Sequence, residues 1–353
     1  MSRRSVFKGS LIGCTCLAAC LVCVAQETVG GPPVAYDAKP IPVLSAGIAF
    51  VPTSEGGSPT LVSIISPVLL VPVWKNLVFE SRAAFEGDFQ RRNGTSGDFT
   101  GSIHKSLDYM ELDYIANSYV TMTAGRFLTP FNLFNERFYP NWIRNTQTDP
   151  LIFPIGTGSD NGLMMRGGIA GNERVTVNYA VYVSALSMED HFESERHFGV
   201  RAGMFFPQRR FEIGMSLQHQ LQNDRLNRYG FHLQWQPLRI PFELRSEGAY
   251  SREEGNGLWL EAAYRFRNAR STALRRAQLI CRTQAFLTGR TANTSSSLPG
   301  TDTERTEIGA NYYLHDGWKA LAIYGRTFTA LGDSNIWTLG MTYRFVMPLG
   351  HGE

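Results

Sequence analysis

Charged residues in this chain recur at every second position of short segments, and that spacing decides what chemistry they can do. Arg82, Arg166, Arg201, Arg245, Arg265, Arg282, Arg326 and Arg344 fall on the same faces as Glu80, Glu86, Asp88, Glu111, Asp113, Glu212, Glu243, Glu247, Glu261 and Glu307. Arginine stays charged and offers a planar fork to carboxylate or phosphate. Such faces either neutralise themselves as a hydrated, ion-paired wall or present a ladder of cations to passing anions. Arg82 and Arg245 have an acid two residues away, which suits the first; both readings stay open.

Other reactive types carry less. Ser216 and His232 fall on neighbouring segments, as a hydroxyl and its base would, without a third group to orient them. His191 stands among Glu189, Asp190 and Glu193, a pattern better suited to an acidic loop in water than to a divalent cation. No HExxH, paired CxxC or Walker sequence occurs, and Gly156-Thr157-Gly158 lacks the strand and helix that a phosphate loop needs. The sequence therefore predicts no catalytic residue, metal or cofactor.

A third group sits in one long stretch, 126–162, which is aromatic, proline-interrupted and without helical period. A structureless stretch of this length is uncommon unless it is functional or disordered, and disordered segments are poor in aromatics. The expectation is a loop, 128–160, folded into the mouth of a β-barrel. Arg126, Arg137, Tyr139, Trp142 and Arg144 are its constriction residues.

The elements that must hold these residues are strands. Met1–Ala25 reads as an export signal, with Arg3, Arg4 and Lys8 ahead of an apolar run and a small-residue cleavage site; cleavage and lipidation at Cys20 is the alternative. Removing it takes four of the five cysteines, leaving Cys281, and leaves 34 − 3 = 31 basic against 31 acidic residues. The basic balance of the whole chain is thus no argument for nucleic acid as a partner. Residues 26–42 form a Pro/Gly-containing leader and 43–353 the barrel. Sixteen segments with period-two alternation follow: 43–51, 61–73, 77–90, 102–117, 118–127, 161–171, 174–186, 195–206, 209–221, 226–237, 240–252, 256–267, 277–290, 302–314, 317–328 and 334–346.

In 211–217, Phe211, Ile213, Met215 and Leu217 oppose Glu212 and Ser216, and 277–287 puts Cys281 with Leu279 and Leu287 on an apolar face. Short joins alternate with longer ones, the mark of a transmembrane barrel with periplasmic turns and outer loops. Asn268 to Arg276 breaks that rule, being too long for a turn. Charges cost several kcal/mol on a lipid face at mid-membrane, so the arginines and acids above are assigned to the lumen.

The stretch AGRFLTPFNLFNERFYPNWI (124–143) with TDPL (148–151) resembles the phosphate-selective porin O and P family, and more loosely the sixteen-stranded outer-membrane porins. That resemblance implies a homotrimer in the bacterial outer membrane, surrounded by its lipid, with inward loops and basic side chains that draw anions. Arg126, Arg137 and Arg144 are the matching positions. Lys39, Lys75, Lys105 and Lys319 do not cluster, so a lysine-lined phosphate trap is not expected. The function implied is passive diffusion of small anionic or neutral solutes with a mild anion preference, phosphate or carboxylates among them. A scaffold barrel and a barrel hydrolase are the alternatives.

Overall fold

The computed structural model describes residues 41–349 apart from 92–97, 173, 190–192, 223–224, 291–297 and 316. The export signal, most of the leader and His191 lie outside the described residues. Sixteen antiparallel strands form one closed barrel in chain order. They are β1 (Val43–Glu55), β2 (Ser58–Trp74), β3 (Leu77–Arg91), β4 (Phe99–Asn117), β5 (Val120–Leu128), β6 (Ser159–Asn172), β7 (Val175–Ala185) and β8 (His197–Phe206). The ring continues through β9 (Phe211–Gln220), β10 (Asn227–Trp235), β11 (Phe242–Ser251), β12 (Gly255–Arg265), β13 (Ala277–Thr288), β14 (Thr303–Tyr313), β15 (Trp318–Thr329) and β16 (Gly332–Pro348). β16 closes it on β1, with Arg344 opposite Gly47. A short helix, α1 (Thr272–Arg275), interrupts the join between β12 and β13 that is too long for a turn.

The barrel is polar inside and apolar outside. On β9, Glu212, Ser216 and Gln218 are buried, whereas Met215 is 68% exposed and Leu217 49%. On β13, Gln278, Arg282 and Gln284 are buried while Leu279 and Leu287 are exposed. Cys281 has the parity of the two leucines and is half-buried on that outer face. Burying polar and exposing large apolar side chains inverts the rule for a protein in water. It suits a wall with lipid outside and solvent within.

Two placements expected from the sequence fail here. Arg326 lies on the outer face of β15, 51% exposed and paired with Asp333 at 2.9 Å, because Lys319, Leu321, Ile323 and Thr327 hold the inner positions. Arg126 belongs to β5 instead of the loop. Phe127 is the residue turned inward, so Arg126 points outward and is held by the Leu107 carbonyl at 2.7 Å and Asn161 at 3.2 Å. A register shift in the β3–β4 pair sets Arg82 opposite Tyr109 and Ala83 opposite Leu107. The residue skipped, Asp108, is buried with its carboxylate 3.1 Å from Arg82.

Candidate functional site: the 129–158 connection and the inner face

The connection between β5 and β6 carries the hydrophobic core. Phe131, Leu133, Phe134, Phe138, Leu151, Ile152 and Ile155 are all buried, packed with Ala249, Trp259 and Phe286 from the inner face of the wall. Phe134 meets Trp259 edge-on at 6.0 Å, and Tyr139 stacks on Phe153 at 5.5 Å. A single wide helical turn, Phe134–Phe138, buries Phe134, Asn135 and Phe138. Gly156, at φ +72°, lies so close to the Phe131 ring that a Cβ there would come within 2.8 Å of it.

The connection's backbone is satisfied by charged side chains from the inner face of β8 to β15. Glu247 accepts the amides of Leu133 and Phe134, each at 2.7 Å, and Ser216 accepts that of Asn132 at 2.9 Å. Arg201 donates to the Asn132 carbonyl at 2.9 Å and pairs with Glu136. Further along, Asn145 donates to Glu261 at 2.8 Å, Gln284 accepts the Leu151 amide at 2.9 Å, and Thr148 bonds both Glu307 and Arg282. Lys319 donates to the carbonyls of Trp142 and Arg144. Hydrogen bonds to ionised groups contribute roughly 1.5–3 kcal/mol each, so these anchors add to the apolar packing in offsetting the entropy cost of ordering a segment without regular structure.

The residues singled out in the sequence separate into distinct roles. Arg137 pairs with Glu212 at 2.6 Å and Arg144 with Asp149 at 2.6 Å, so neither stands as an isolated cation. Arg137 is the more exposed, 38% against 8% by side chain. Arg144 lies over the ring of Tyr139 at 4.7 Å. Arg82 sits within 5.6 Å of the ring centres of Tyr139 and Trp142, and Arg344 caps Trp142 at 5.8 Å. Burial raises the Tyr139 phenol to about 12, which keeps it neutral.

On the wall, Arg166 bridges Asp113 at 2.8 Å, with Glu111 at 3.6 Å and Glu136 at 3.9 Å. Arg245 pairs with Glu243 at 2.7 Å and lies 3.8 Å from Glu261, and Arg282 pairs with Glu307 at 2.5 Å. Arg265 stacks on Tyr313 at 4.0 Å, and Glu80 lies opposite Glu111 across the β3–β4 pair. Arg228, Arg305 and Lys319 also face inward and were not singled out; parity with Glu307 gives Arg305, whereas Lys319 lies on the face of β15 opposite the one the sequence suggests as inner. Arg228 forms a two-bond pair with Glu254, each bond 2.6 Å, and reaches His197 at 3.2 Å. Just outside β8, the Glu195 carboxyl is lowered, chiefly by its hydrogen bond with His197. Ser216 and His232 share no hydrogen bond, since both His232 ring nitrogens lack partners. Among the described residues no group of His, Cys, Asp or Glu could hold a metal ion.

Opposite the anchors, the connection leaves space. A cavity of about 170 Å³ lies between Tyr139, Asn141, Arg144, Gln147, Thr148 and Asp149 on one side and β1–β3 on the other. Its wall side is small or apolar: Val51, Thr53, Val62, Ile64, Ser66 and Ala84, with Arg82 and Glu86 the charged members. The Ser66 hydroxyl is buried there without a partner. A second cavity, about 360 Å³, is lined by Arg137, Asn178, Arg210, Glu212, Gln234 and Gln236.

No protein-family model matches the chain, and no curated protein is significantly similar to it. Solved structures do match in fold. Salmonella typhi OmpF, in complex with daunomycin, aligns with a TM-score of 0.59 at 12% identity over 87% of this chain and 98% of that one. The anion-selective porin from Comamonas acidovorans gives 0.57 at 9% over 87% and 100%. Pseudomonas putida OprB, in its low-pH structure, gives 0.55 at 8% over 87% and 92%. The likeness is one of fold: this chain has the barrel fold of those porins.

Proposed function

We propose that this chain is an outer-membrane porin through which small hydrophilic solutes diffuse passively, and that the 129–158 connection folds inward as its constriction. The observation that carries the reading is the set of partners of that connection. They include Arg82 on β3, Glu247 on β11 and Lys319 on β15, side chains from widely separated parts of one ring. A segment reaching all of them crosses the interior and narrows it. An enzyme reading lacks such support, because Ser216 is engaged by the Asn132 amide.

The preference proposed is mildly for anions, with phosphate and carboxylates as candidate solutes. It is supported by Arg265 and Arg344, inward cations engaged by rings, with no carboxylate in salt-bridge reach among the described residues. Planar-bilayer recording tests both parts. Discrete channels whose reversal potential across a salt gradient favours the anion are expected. A folded barrel that conducts nothing sinks the porin reading, and a cation-favouring potential sinks the preference alone. The trimer implied by the family resemblance belongs to the same proposal, and native mass measurement in mild detergent checks it.

A further inference from the structure

Three neighbouring joins at the end of the barrel that carries Val43 and Pro348 differ from the rest of the rim. The β8–β9, β10–β11 and β12–β13 joins hold Arg209 and Arg210, then Arg239, then Arg267, Arg270, Arg275 and Arg276, with no acidic residue in 207–210, 236–241 or 266–276. They are physically continuous. The Gln236 amide donates to the Arg210 carbonyl at 3.0 Å, and the Arg265 amide to the Pro241 carbonyl at 2.9 Å. On the rest of that rim, 75–76, 118–119, 173–174 and 314–317 carry only Lys75 and Arg174 as Lys or Arg, set against Glu173 and Asp316. The charge is therefore an arc, not a ring.

The arc has no internal counterions. Arg209, Arg239, Arg267, Arg270, Arg275 and Arg276 are exposed, and none forms an ion pair with a carboxylate among the described residues. The excess length of the β12–β13 join serves to display them: the single turn of α1 sets Arg275 and Arg276 beside Leu274. Leu274 is 50% exposed, and Leu238 on the adjoining turn is 58% exposed. Immediately above, on the outer face, Trp235 meets Phe242 edge-on at 6.1 Å and Tyr264 meets Phe266 at 5.2 Å. Aromatic rings of this kind sit at headgroup level in membrane proteins. Guanidiniums next to them, mixed with exposed leucines, lie where phosphates and the first methylenes of a lipid lie.

We propose that this arc binds the phosphate headgroups of anionic phospholipid in the leaflet on the periplasmic side, the side to which the short turns of such barrels face. Basic clusters at a membrane boundary attract anionic lipid within a Debye length, and the guanidinium fork matches phosphate oxygens. An acidic periplasmic polypeptide would use the same charge. The exposed leucines and the aromatic pairs directly above favour lipid.

The test is the relative association of spin-labelled phosphatidylglycerol and spin-labelled phosphatidylcholine with the complete barrel in phosphatidylcholine bilayers at low salt. Phosphatidylglycerol is expected to associate about fivefold or more in preference, falling toward parity at about 0.5 M salt. The variant Arg267→Gln/Arg270→Gln/Arg275→Gln/Arg276→Gln should lose most of the preference. Arg196→Gln/Arg252→Gln/Arg290→Gln, which removes charge at the opposite end, should keep it. Heat-modifiable migration confirms folding; should the quadruple variant not fold, Arg270→Gln/Arg275→Gln is the replacement. No preference in the unaltered barrel overturns the proposal, as does a preference that survives the arc variant or one that the opposite-end variant abolishes equally. Tighter retention of soluble polyglutamate than of phosphatidylglycerol would assign the arc to an acidic polypeptide and overturn it too. None of these readouts depends on whether the barrel conducts.

Discussion

The wall from β8 to β15 and the wall from β1 to β3 treat the 129–158 connection in opposite ways. The first meets it with ionised or amide side chains, Arg201, Glu247, Glu261, Gln284, Glu307 and Lys319, each spent on a backbone or side-chain group of the connection. The second offers small and apolar residues, among them Val51, Val62, Ile64 and Ser66, and leaves a cavity of about 170 Å³. Where the two do touch, the contact is with rings: Arg82 lies within 5.6 Å of the ring centres of Tyr139 and Trp142, and a Cβ on Gly47 would come within 1.8 Å of the Trp142 ring. The contrast teaches that one wall fixes the connection and the other leaves a cavity beside it, the proposed route. Inward charge on this ring is therefore mostly mechanical, and solutes are expected to travel along β1–β3.

Removing the connection should abolish the contrast altogether. Deleting Asn132 to Ile152 takes away the proposed obstruction without touching a strand, and single-channel conductance is expected to rise severalfold. An unchanged conductance in a folded, heat-modifiable barrel would mean that the connection does not narrow the path, and the two walls would then be equivalent.

The next test attacks the anchored wall alone. Glu247→Ala leaves the Leu133 and Phe134 amides without their shared acceptor inside a buried core. A charge-assisted hydrogen bond contributes roughly 1.5–3 kcal/mol, enough to loosen the first anchor while the Arg282–Glu307–Thr148 anchor holds. Conductance should rise by about half and become noisy, with Glu247→Gln intermediate because one acceptor oxygen remains. A quiet, unchanged channel in Glu247→Ala would show that anchoring comes from the Phe134–Trp259 packing instead.

The open wall is probed by filling it. Ser66 is buried, its hydroxyl has no partner, and it borders the 170 Å³ cavity, so Ser66→Phe puts a ring into the proposed route. Conductance should fall by about twofold, since an added aromatic ring occupies a large part of a space this size. The same ring at Thr283, on the outer face of β13, should leave conductance alone. If both variants conduct like the parent, solutes pass elsewhere, and the 360 Å³ cavity beside Arg137 becomes the route.

Much of this arrangement is legible in the sequence, and the parts that are not have definable causes. A side-chain period of two is intrinsic to each strand, so all sixteen strands and the buried polar face could be read locally; 211–217 and 277–287 keep in the structure the alternation expected of them. Arg326 is misassigned because a strand read in isolation does not say which face is inner when both faces are mixed, and Arg126 because it is grouped with the aromatic stretch that follows it although it lies in a strand. Lys319 and Thr327 settle it for β15, and Phe127 packed edge-on to Tyr182 at 5.9 Å settles it for β5. Asp108 is hidden by a register shift that only pairing with β3 creates. The composition of the long connection announces that it packs. Its anchors, more than 60 residues away in the chain at the nearest, carry no local trace.

The smallest effect expected is on selectivity, and it separates the two paired arginines of the connection. Both belong to ion pairs, so a charge count cannot rank them; exposure and place can. Arg144 is buried beneath Tyr139, while its partner Asp149 is 50% exposed and borders the narrow cavity together with Glu86. Arg144→Ala therefore uncovers a carboxylate where the route is tightest. Glu212, the partner of Arg137, is 7% exposed and keeps a hydrogen bond from Asn178 at 2.9 Å when Arg137 is lost. The cation removed there borders the wider, 360 Å³ space, where water and salt screen it more strongly. Arg144→Ala should move the reversal potential toward cations, by less than about twofold in permeability ratio at physiological salt, and Arg137→Ala by less still. Adding Asp149→Asn to Arg144→Ala should restore most of the original value. Equal shifts from the two arginines would mean that solutes sense both cavities alike. A larger shift from Arg137→Ala would place the route against the β7–β10 side and reverse the assignment of the two walls.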